Sequence, residues 1–294
     1  MKMLLTGASG LLGSAIVKVA QRQGIACVPL ARPVLPWSPE TIARWSESLQ
    51  GYDLVIHAAA NTNVEQCELA PDECYRDNFL LTELILKAAA NAHARVVFVS
   101  STGIYGDGLD AAYREYDTVQ PSTHHHRSKY LAEQAVLAAG PRHLVVRTGW
   151  LFGGPASNPK NFVARRIDEA RAAVGKGYIE SNTEQRGVPC FNEDVAIRIL
   201  MLVEAEMSGI FNCVNSNSAS RYEYVSAIVE LAGLPIEVRP SGAAVFNRKA
   251  KVSNNEMAEN WKMSSLGWPA MPDWRTSLAD YIRAELDAPS GATL

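Results

Sequence analysis

The first residues whose types and spacing could do chemistry are the glycines of Thr6-Gly7-Ala8-Ser9-Gly10-Leu11-Leu12-Gly13. They are spaced Gly-x-x-Gly-x-x-Gly at the junction of a short apolar run and a helical pattern. Glycine there permits a tight turn, lets the backbone approach a pyrophosphate, and allows a helix to pack closely on a strand. The helix N-terminus would then present unpaired N–H groups to the negative charge. Gly7, Ser9, Gly10, Leu11, Leu12 and Gly13 are therefore the candidate dinucleotide cradle. A turn with no ligand is the competing reading, and the position after the first strand of an α/β alternation favours the dinucleotide.

A second strand should end near Leu30, where the adenosine ribose would lie. An acid there would select NAD by bonding the ribose hydroxyls. This chain has Ala31-Arg32 instead, with no acid before Glu40. A guanidinium can pair with a 2′-phosphate, so NADP(H) is the expected cofactor and NAD(H) the alternative; a solvated loop arginine is the competing reading of Arg32. Ala58-Ala59-Ala60 closes another strand with small side chains that leave room for a cofactor, or that serve packing alone. Three consecutive histidines, His124 to His126, would point in different directions on a helix, and no acid or cysteine cluster completes them, so no metal is expected. The five cysteines (Cys27, Cys67, Cys74, Cys190, Cys213) are odd in number and scattered, with no Cys-x-x-Cys pair. They read as small buried hydrophobes in a reducing cytoplasm.

The elements that must position these groups alternate through the first half. Apolar runs at Met3–Leu5, Ala26–Leu30, Leu54–His57, Arg95–Ser100 and Leu144–Arg147 read as strands buried on both faces. Helical spacing appears at Leu11–Gln23, Pro39–Leu49, Cys74–Ala90 and Lys129–Ala138. The expected fold is therefore α/β, a doubly wound parallel sheet. Beyond about residue 150 the alternation weakens, with helical patterns at Phe162–Ala173, Glu193–Glu204 and Arg221–Ala232 and a short strand near Gly209–Val214. Residues 1–150 are read as the dinucleotide domain and 151–294 as a smaller substrate lobe with some segments returning to the first. Ala288–Leu294 are small and expected to fray. The net charge of -3 gives no reason to expect nucleic acid or an anionic membrane. No apolar run approaches the ~18–20 residues that span a bilayer. The N-terminus enters the glycine turn directly, and the expected location is cytoplasmic.

At this point the chain resembles the dTDP-4-dehydrorhamnose reductases and their relatives among the extended short-chain dehydrogenases. The resemblance rests on Thr6–Gly13, Ala58–Glu65 and Ser100-Ser101-Thr102-Gly103-Ile104-Tyr105-Gly106-Asp107-Gly108. It continues through Tyr113-Arg114-Glu115, Arg147-Thr148-Gly149-Trp150, Asn161-Phe162-Val163, Gly187-Val188-Pro189 and Met271-Pro272-Asp273-Trp274. It implies NAD(P)H-dependent reduction of a C4 ketone on a nucleotide-linked 6-deoxy-sugar. The catalytic group it implies is a hydroxyl, a tyrosine and a lysine, the last two spaced Tyr-x-x-x-Lys on one helix face. The lysine holds the nicotinamide ribose and lowers the tyrosine pKa, and the tyrosine gives a proton to the alkoxide as hydride arrives.

Carried onto this chain, Thr102 matches the hydroxyl, Lys129 the lysine, and His125 occupies the tyrosine position. Imidazole reaches roughly 2 Å less far than phenol, so protonation of the same carbonyl needs a shifted substrate or a bridging water. Three readings of His125 stand: a working proton donor, the mark of a site that binds cofactor without normal turnover, or an incidental residue whose task falls to another group or water. Tyr105 and Tyr130 are the candidate substitutes. The resemblance also places Thr102, Gly103 and Trp150 beside the sugar, with Asn161 and Arg186 toward the nucleotide diphosphate. The first functional expectation is thus a nucleotide-sugar reductase. A regulatory or scaffold subunit that binds NAD(P), and a sugar-nucleotide epimerase of the same fold, are the alternatives. A homodimer is common for this fold.

Overall fold

The structure is a computed structural model and describes residues 1–32, 37–242, 245 and 248–286. The expected fraying of Ala288–Leu294 falls outside these residues. The chain runs β1 (Lys2–Thr6), α1 (Leu11–Arg22), β2 (Ala26–Leu30), α2 (Pro39–Ser48), β3 (Leu54–His57), α3 (Val64–Leu69) and α4 (Pro71–Tyr75). A π-helical turn, Arg76–Leu80, joins α4 to α5 (Leu81–Asn91), followed by β4 (Arg95–Ser101), a 3₁₀ turn at Thr102–Ile104, α6 (His124–Ala138) and β5 (Leu144–Thr148). Then come β6 (Trp150–Phe152), α7 (Phe162–Ala172), β7 (Tyr178–Asn182), β8 (Arg186–Gly187), β9 (Pro189–Phe191), α8 (Asn192–Glu204) and β10 (Gly209–Asn212). The last elements are β11 (Ala219–Ser220), α9 (Arg221–Leu231), β12 (Glu237–Ser241), α10 (Trp261–Ser265) and α11 (Trp274–Tyr281).

Six strands form one parallel sheet in the order β2-β1-β3-β4-β5-β10. Its central strands bury both faces, and alternate residues go to opposite layers, as the two-residue period of a strand requires. Met3, Leu5, Leu54, Ile56, Val97 and Val99 pack with α1 and α8 on one side. Leu4, Val55, Val96, Phe98 and Val145 pack with α2, α5 and α6 on the other. The strand order reverses between β1 and β3. In a doubly wound sheet, that is where a crevice opens at the carboxyl ends of the strands.

The remaining segments build a second layer around Trp150, Phe152, Val163, Tyr224, Trp274 and Tyr281. Its strands pair as β7 with β12, β6 with β9, and β8 with β11. The strand read near Gly209–Val214 is a segment that returns to the main sheet, which it closes beside β5. One reading changes. The helix read from Lys129 begins five residues earlier, at His124, where Thr123 caps it by accepting from the His126 N–H. Its buried face carries His125, His126, Ser128, Lys129 and Glu133, so the apolar period that marks a helix is missing from its first turns.

That polar face is anchored by one ion pair. Glu133 on α6 receives Arg147 of β5 through both carboxylate oxygens, at 2.8 to 3.3 Å, with neither side chain more than 2% exposed. Burial alone would weaken the guanidinium's charge, but the Glu133 carboxylate beside it raises the Arg147 pKa instead. Arg147 also donates to the Tyr105 hydroxyl, which in turn donates to Asn212 of β10. Removing one member of a buried pair leaves an uncompensated charge, at a cost of about 3–5 kcal/mol. Glu133→Ala should therefore lower the unfolding free energy by that amount, read in urea as a lower midpoint with an unchanged slope, and adding Arg147→Met should recover part of the loss. A shift below about 1 kcal/mol for Glu133→Ala would show that the pair does not anchor α6.

Candidate active site

The glycine cradle is built as its spacing demands. Gly7 has a left-handed φ of 73° and its N-terminal neighbours close onto β3: a Cβ on it would meet the backbone of Ala58 and Ala59. A Cβ on Gly13 would strike the Gly7 carbonyl. Gly10 caps α1 with an extended backbone and no side chain, leaving the first-turn N–H groups open toward the crevice. Glycine is thus required for two close approaches, loop to strand and helix to loop, which is the geometry that admits a pyrophosphate.

The opposite wall of the crevice is the segment after β3, Ala58 to Ala60. Below it a chain of hydrogen bonds ties the strand ends together. The Thr6 hydroxyl donates to Nδ1 of His57 at 2.7 Å and accepts from the Ala59 N–H. Nε2 of His57 donates to Thr82, whose hydroxyl donates to the Asn78 carbonyl. Complete burial, helped by the Lys129 charge, pushes the His57 pKa down to about 3. The ring is neutral in one fixed tautomer, and its two bonds tie β1 and β3 to α5. Thr6, His57 and Asn78 were not singled out from the sequence.

Arg32 follows β2 and pairs with Asp77, which Arg76 also pairs with at 2.9 Å. The π-helical turn presents Asp77 there. Arg32 remains 45% exposed, so the rim beside the second strand carries two guanidinium groups around one carboxylate.

On the far side, Thr102 opens the 3₁₀ turn after β4. Its hydroxyl is buried and, among the described residues, has no hydrogen-bond partner. A buried hydroxyl left unpaired costs free energy, and a ligand carbonyl would satisfy it. Lys129 lies one helical turn from His125 on α6; its Nζ donates to the Val99 carbonyl at 2.6 Å and sits 4.0 Å from the Phe98 ring centre. Gly103 leaves room for the His126 ring, which a Cβ would overlap.

His125 is buried, and its Nδ1 lies 2.9 Å from the Asn61 carbonyl. A carbonyl only accepts, so Nδ1 carries the proton and Nε2 is bare in the neutral ring. Burial, then the charges of His126 and Lys129, hold its pKa well below the ordinary value, so the neutral ring is the resting form. Neither tyrosine substitutes. Tyr105 is fully buried, its hydroxyl is committed to Asn212 and Arg147, and burial raises its pKa to about 12. Tyr130 follows Lys129 directly, about 100° round the helix.

His125 and His126 line a cleft of about 170 Å³ together with Ser101, Trp150, Gln185, Arg221, Arg248 and Glu256. The Trp150 indole donates to Glu256 at 2.6 Å and lies under the Arg221 guanidinium, 3.5 Å from the ring centre. Gly187 makes this possible, because a Cβ there would overlap the indole. Of the residues expected beside substrate, Trp150 lines the cleft. Arg186 is exposed on β8, held by backbone bonds to Asn254 and Glu256, and is not among the cleft residues.

Asn161 is fully buried as the cap of α7: Oδ1 accepts from Ala164, and Nδ2 donates to the Gly154 and Pro155 carbonyls and Tyr281. No polar atom of Asn161 remains for a ligand, which corrects its expected place beside the diphosphate. Its position before a helical run is the signal for a cap. Gln185, Arg221, Arg248 and Glu256 were missed. Ser220-x-x-Glu223 marks the start of α9 as a capping box, but nothing local shows that Arg221 faces Trp150. The cysteines also differ from expectation: Cys67 of α3 and Cys74 of α4 form a disulfide.

Burial lowers the Lys129 pKa from 10.5 to about 7, against the opposing pull of Glu133. Between those values the unfolded chain holds a proton that the folded chain lacks, so stability rises with pH across that window, and below it the penalty is fully present. Urea titrations from pH 7 to 10 should show this rise in the ligand-free protein, and Lys129→Met should flatten it. An unchanged slope in the variant would assign the effect to other groups.

Residues 1–286 match the model of the RmlD substrate binding domain family. The dTDP-4-dehydrorhamnose reductase of Mycobacterium tuberculosis is 30% identical over 98% of this chain and 95% of its own length. The spore coat polysaccharide biosynthesis protein SpsK of Bacillus subtilis is 25% identical over 98% and 99%. Among solved structures, a dTDP-4-dehydrorhamnose reductase from Clostridium acetobutylicum superposes with a TM-score of 0.88 at 26% identity, covering 96% of this chain and 99% of that one. That of Bacillus anthracis in complex with NADP shares the fold with a TM-score of 0.87 at 24% identity, over 96% and 99%. With the family model spanning nearly its whole length, the chain belongs to the RmlD substrate binding domain family.

Proposed function

We propose that this chain is an NADPH-dependent reductase of a nucleotide-linked 4-keto-6-deoxy-sugar, of the kind named in its dTDP-4-dehydrorhamnose reductase relatives. The observation that carries the reading is the buried Thr102 hydroxyl at the carboxyl end of β4, which has no partner among the described residues and directly follows Ser101, a residue that lines the cleft with His125 and Trp150. The glycine loop, Ala58 to Ala60 and Lys129 are the residues that would hold the cofactor. When bound, it supplies the hydride that reduces the carbonyl carbon.

Thr102 donates a hydrogen bond to the carbonyl oxygen and fixes its direction. Trp150 and Arg221 provide a flat apolar and cationic wall for the sugar and its phosphates. Neutral His125, with Nε2 bare, accepts a hydrogen bond from a water and holds it beside the carbonyl; that water gives its other proton to the developing alkoxide, and the hydroxide left behind takes a proton from solvent. Arg32 and Arg76 face the adenosine end, where a 2′-phosphate would compete with Asp77 for them.

NADPH oxidation matched by a reduced sugar product from dTDP-4-keto-6-deoxyhexose tests the reading directly. Thr102→Val should lower kcat about 10²-fold. His125→Phe, assayed in the disulfide form, should stay within about tenfold of the native chain, because the proton still comes from water and only the hydrogen bond that positions it is lost. A loss of 10²–10⁴ there would assign the proton to the ring itself.

Arg32→Ala should raise the KM for NADPH roughly tenfold or more and leave that for NADH nearly unchanged. Equal effects on both cofactors would remove Arg32 from phosphate recognition. The replaced tyrosine favours one second reading, a subunit that binds NAD(P) without turnover. Tight NADPH binding with no sugar reduced would move that reading ahead.

A further inference from the structure

Cys67, Cys74 and His125 each offer a ligand atom, and these atoms lie within 4.8 Å of one another in a fully buried cluster. The nitrogen on that side is Nδ1. It and Cys67 Sγ lie 2.9 and 3.9 Å from the Asn61 carbonyl oxygen, and it and Cys74 Sγ each lie 3.4 Å from the Asn78 amide nitrogen. We propose that, once the Cys67–Cys74 disulfide is reduced, these three residues bind one Zn²⁺ as a Cys₂His site beside the cleft. This goes beyond the reductase reading and does not depend on it.

The donor set is soft thiolate plus imidazole, which suits zinc over magnesium or calcium. Tetrahedral zinc with Zn–S near 2.3 Å and Zn–N near 2.0 Å sets its ligand atoms ~3.4–3.8 Å apart. A Cα separation of 5.1 Å between Cys67 and Cys74 allows the freed sulfurs that spacing. Two thiolates and a neutral imidazole make the loaded site neutral, which a buried position beside Lys129 requires. The outer partners are in place too. The Asn78 amide, which donates to Cys74 Sγ and to Ser128 at 3.0 Å, would support a thiolate. The fourth position falls to water or a ligand, as in sites that keep one vertex open. Among the cysteines, Cys190 and Cys213 are buried elsewhere in the core, with thiols that burial pushes upward in pKa.

The chemistry balances simply. An added phosphine takes oxygen from water to become its oxide, and its two electrons with the water's two protons convert the disulfide to two thiols. Zinc then displaces the thiol protons, and the His125 proton moves from Nδ1 to Nε2. Metal occupancy would thereby turn the nitrogen that only accepts into one that donates.

The test uses the full chain, reduced without oxygen, desalted, and titrated with Co²⁺ as the optical probe. We expect one Co²⁺ per chain, with thiolate charge-transfer and tetrahedral visible bands that equimolar Zn²⁺ abolishes. The untreated disulfide form should give no such bands. Cys67→Ser and Cys74→Ser should each weaken Co²⁺ binding at least 100-fold while circular dichroism stays native. The native chain compared before and after reduction keeps the test valid if either variant misfolds. Two new thiols on a folded chain without the bands would overturn the proposal. So would bands that persist in the Cys67→Ser/Cys74→Ser chain, or a disulfide that yields only after unfolding.

Discussion

The contact between Glu133 and Arg147 decides where the polar inner face of α6 sits. Both side chains are buried, and the pair joins the helix to β5 while Tyr105 and Asn212 extend it to the 3₁₀ turn region and to β10. Glu115 adds a further link by accepting from the Asn212 N–H. A helix with an apolar inner face would be held by area alone and could slide or rotate at little cost. The inner face of α6 is polar, so its placement depends on bonds with direction. That makes the helix expensive to displace, and it fixes His125 and Lys129 relative to the end of β4.

The crevice at the reversal of strand order depends on a second kind of constraint, close approach. Gly7 against Ala58 and Ala59, and Gly13 against Gly7, leave no room for a Cβ. The Thr6, His57, Thr82 and Asn78 chain pins the same strand ends from beneath. Asn78 is the junction: its carbonyl ends that chain, while its side chain reaches Asn61, Cys74 and Ser128. The cofactor cradle and the surroundings of His125 are thus one bonded unit, positioned by the π-helical turn. An extra residue in that turn shifts the face that Asp77 and Asn78 present, a use to which such turns are often put.

Where burial is apolar, the sequence was readable. Met3 to Leu5, Leu54 to His57 and Arg95 to Ser100 carry runs that suit strands covered on both sides, and the glycine spacing marks the close approaches at Gly7 and Gly13. The start of α6 was not readable, because the period that signals a helix requires apolar residues on its inner face, and here they are His125, Ser128 and Lys129. Which segment returns to the main sheet was not legible, because the pairing of β10 with β5 joins residues far apart in the chain. The cleft has the same origin: Gln185, Arg221, Arg248 and Glu256 come from separate segments. Cys67, Cys74 and His125 escaped for the same reason, since neither spacing fits a local metal or redox motif.

The histidine at the tyrosine position is best understood through its neighbours' charges. His125 and Lys129 stand one turn apart on a buried face, where two positive charges would repel without solvent to screen them. Burial acts on both, and the proximity of Glu133 opposes it only for the lysine. A proton therefore binds Lys129 before it binds His125, which stays neutral. The Asn61 carbonyl then selects the tautomer with its proton on Nδ1. A phenol in this place would be a donor held ready by the lysine; the imidazole is an acceptor held ready by a carbonyl. The same backbone segment that leaves space beside β3 thus also fixes which nitrogen of His125 is free to accept.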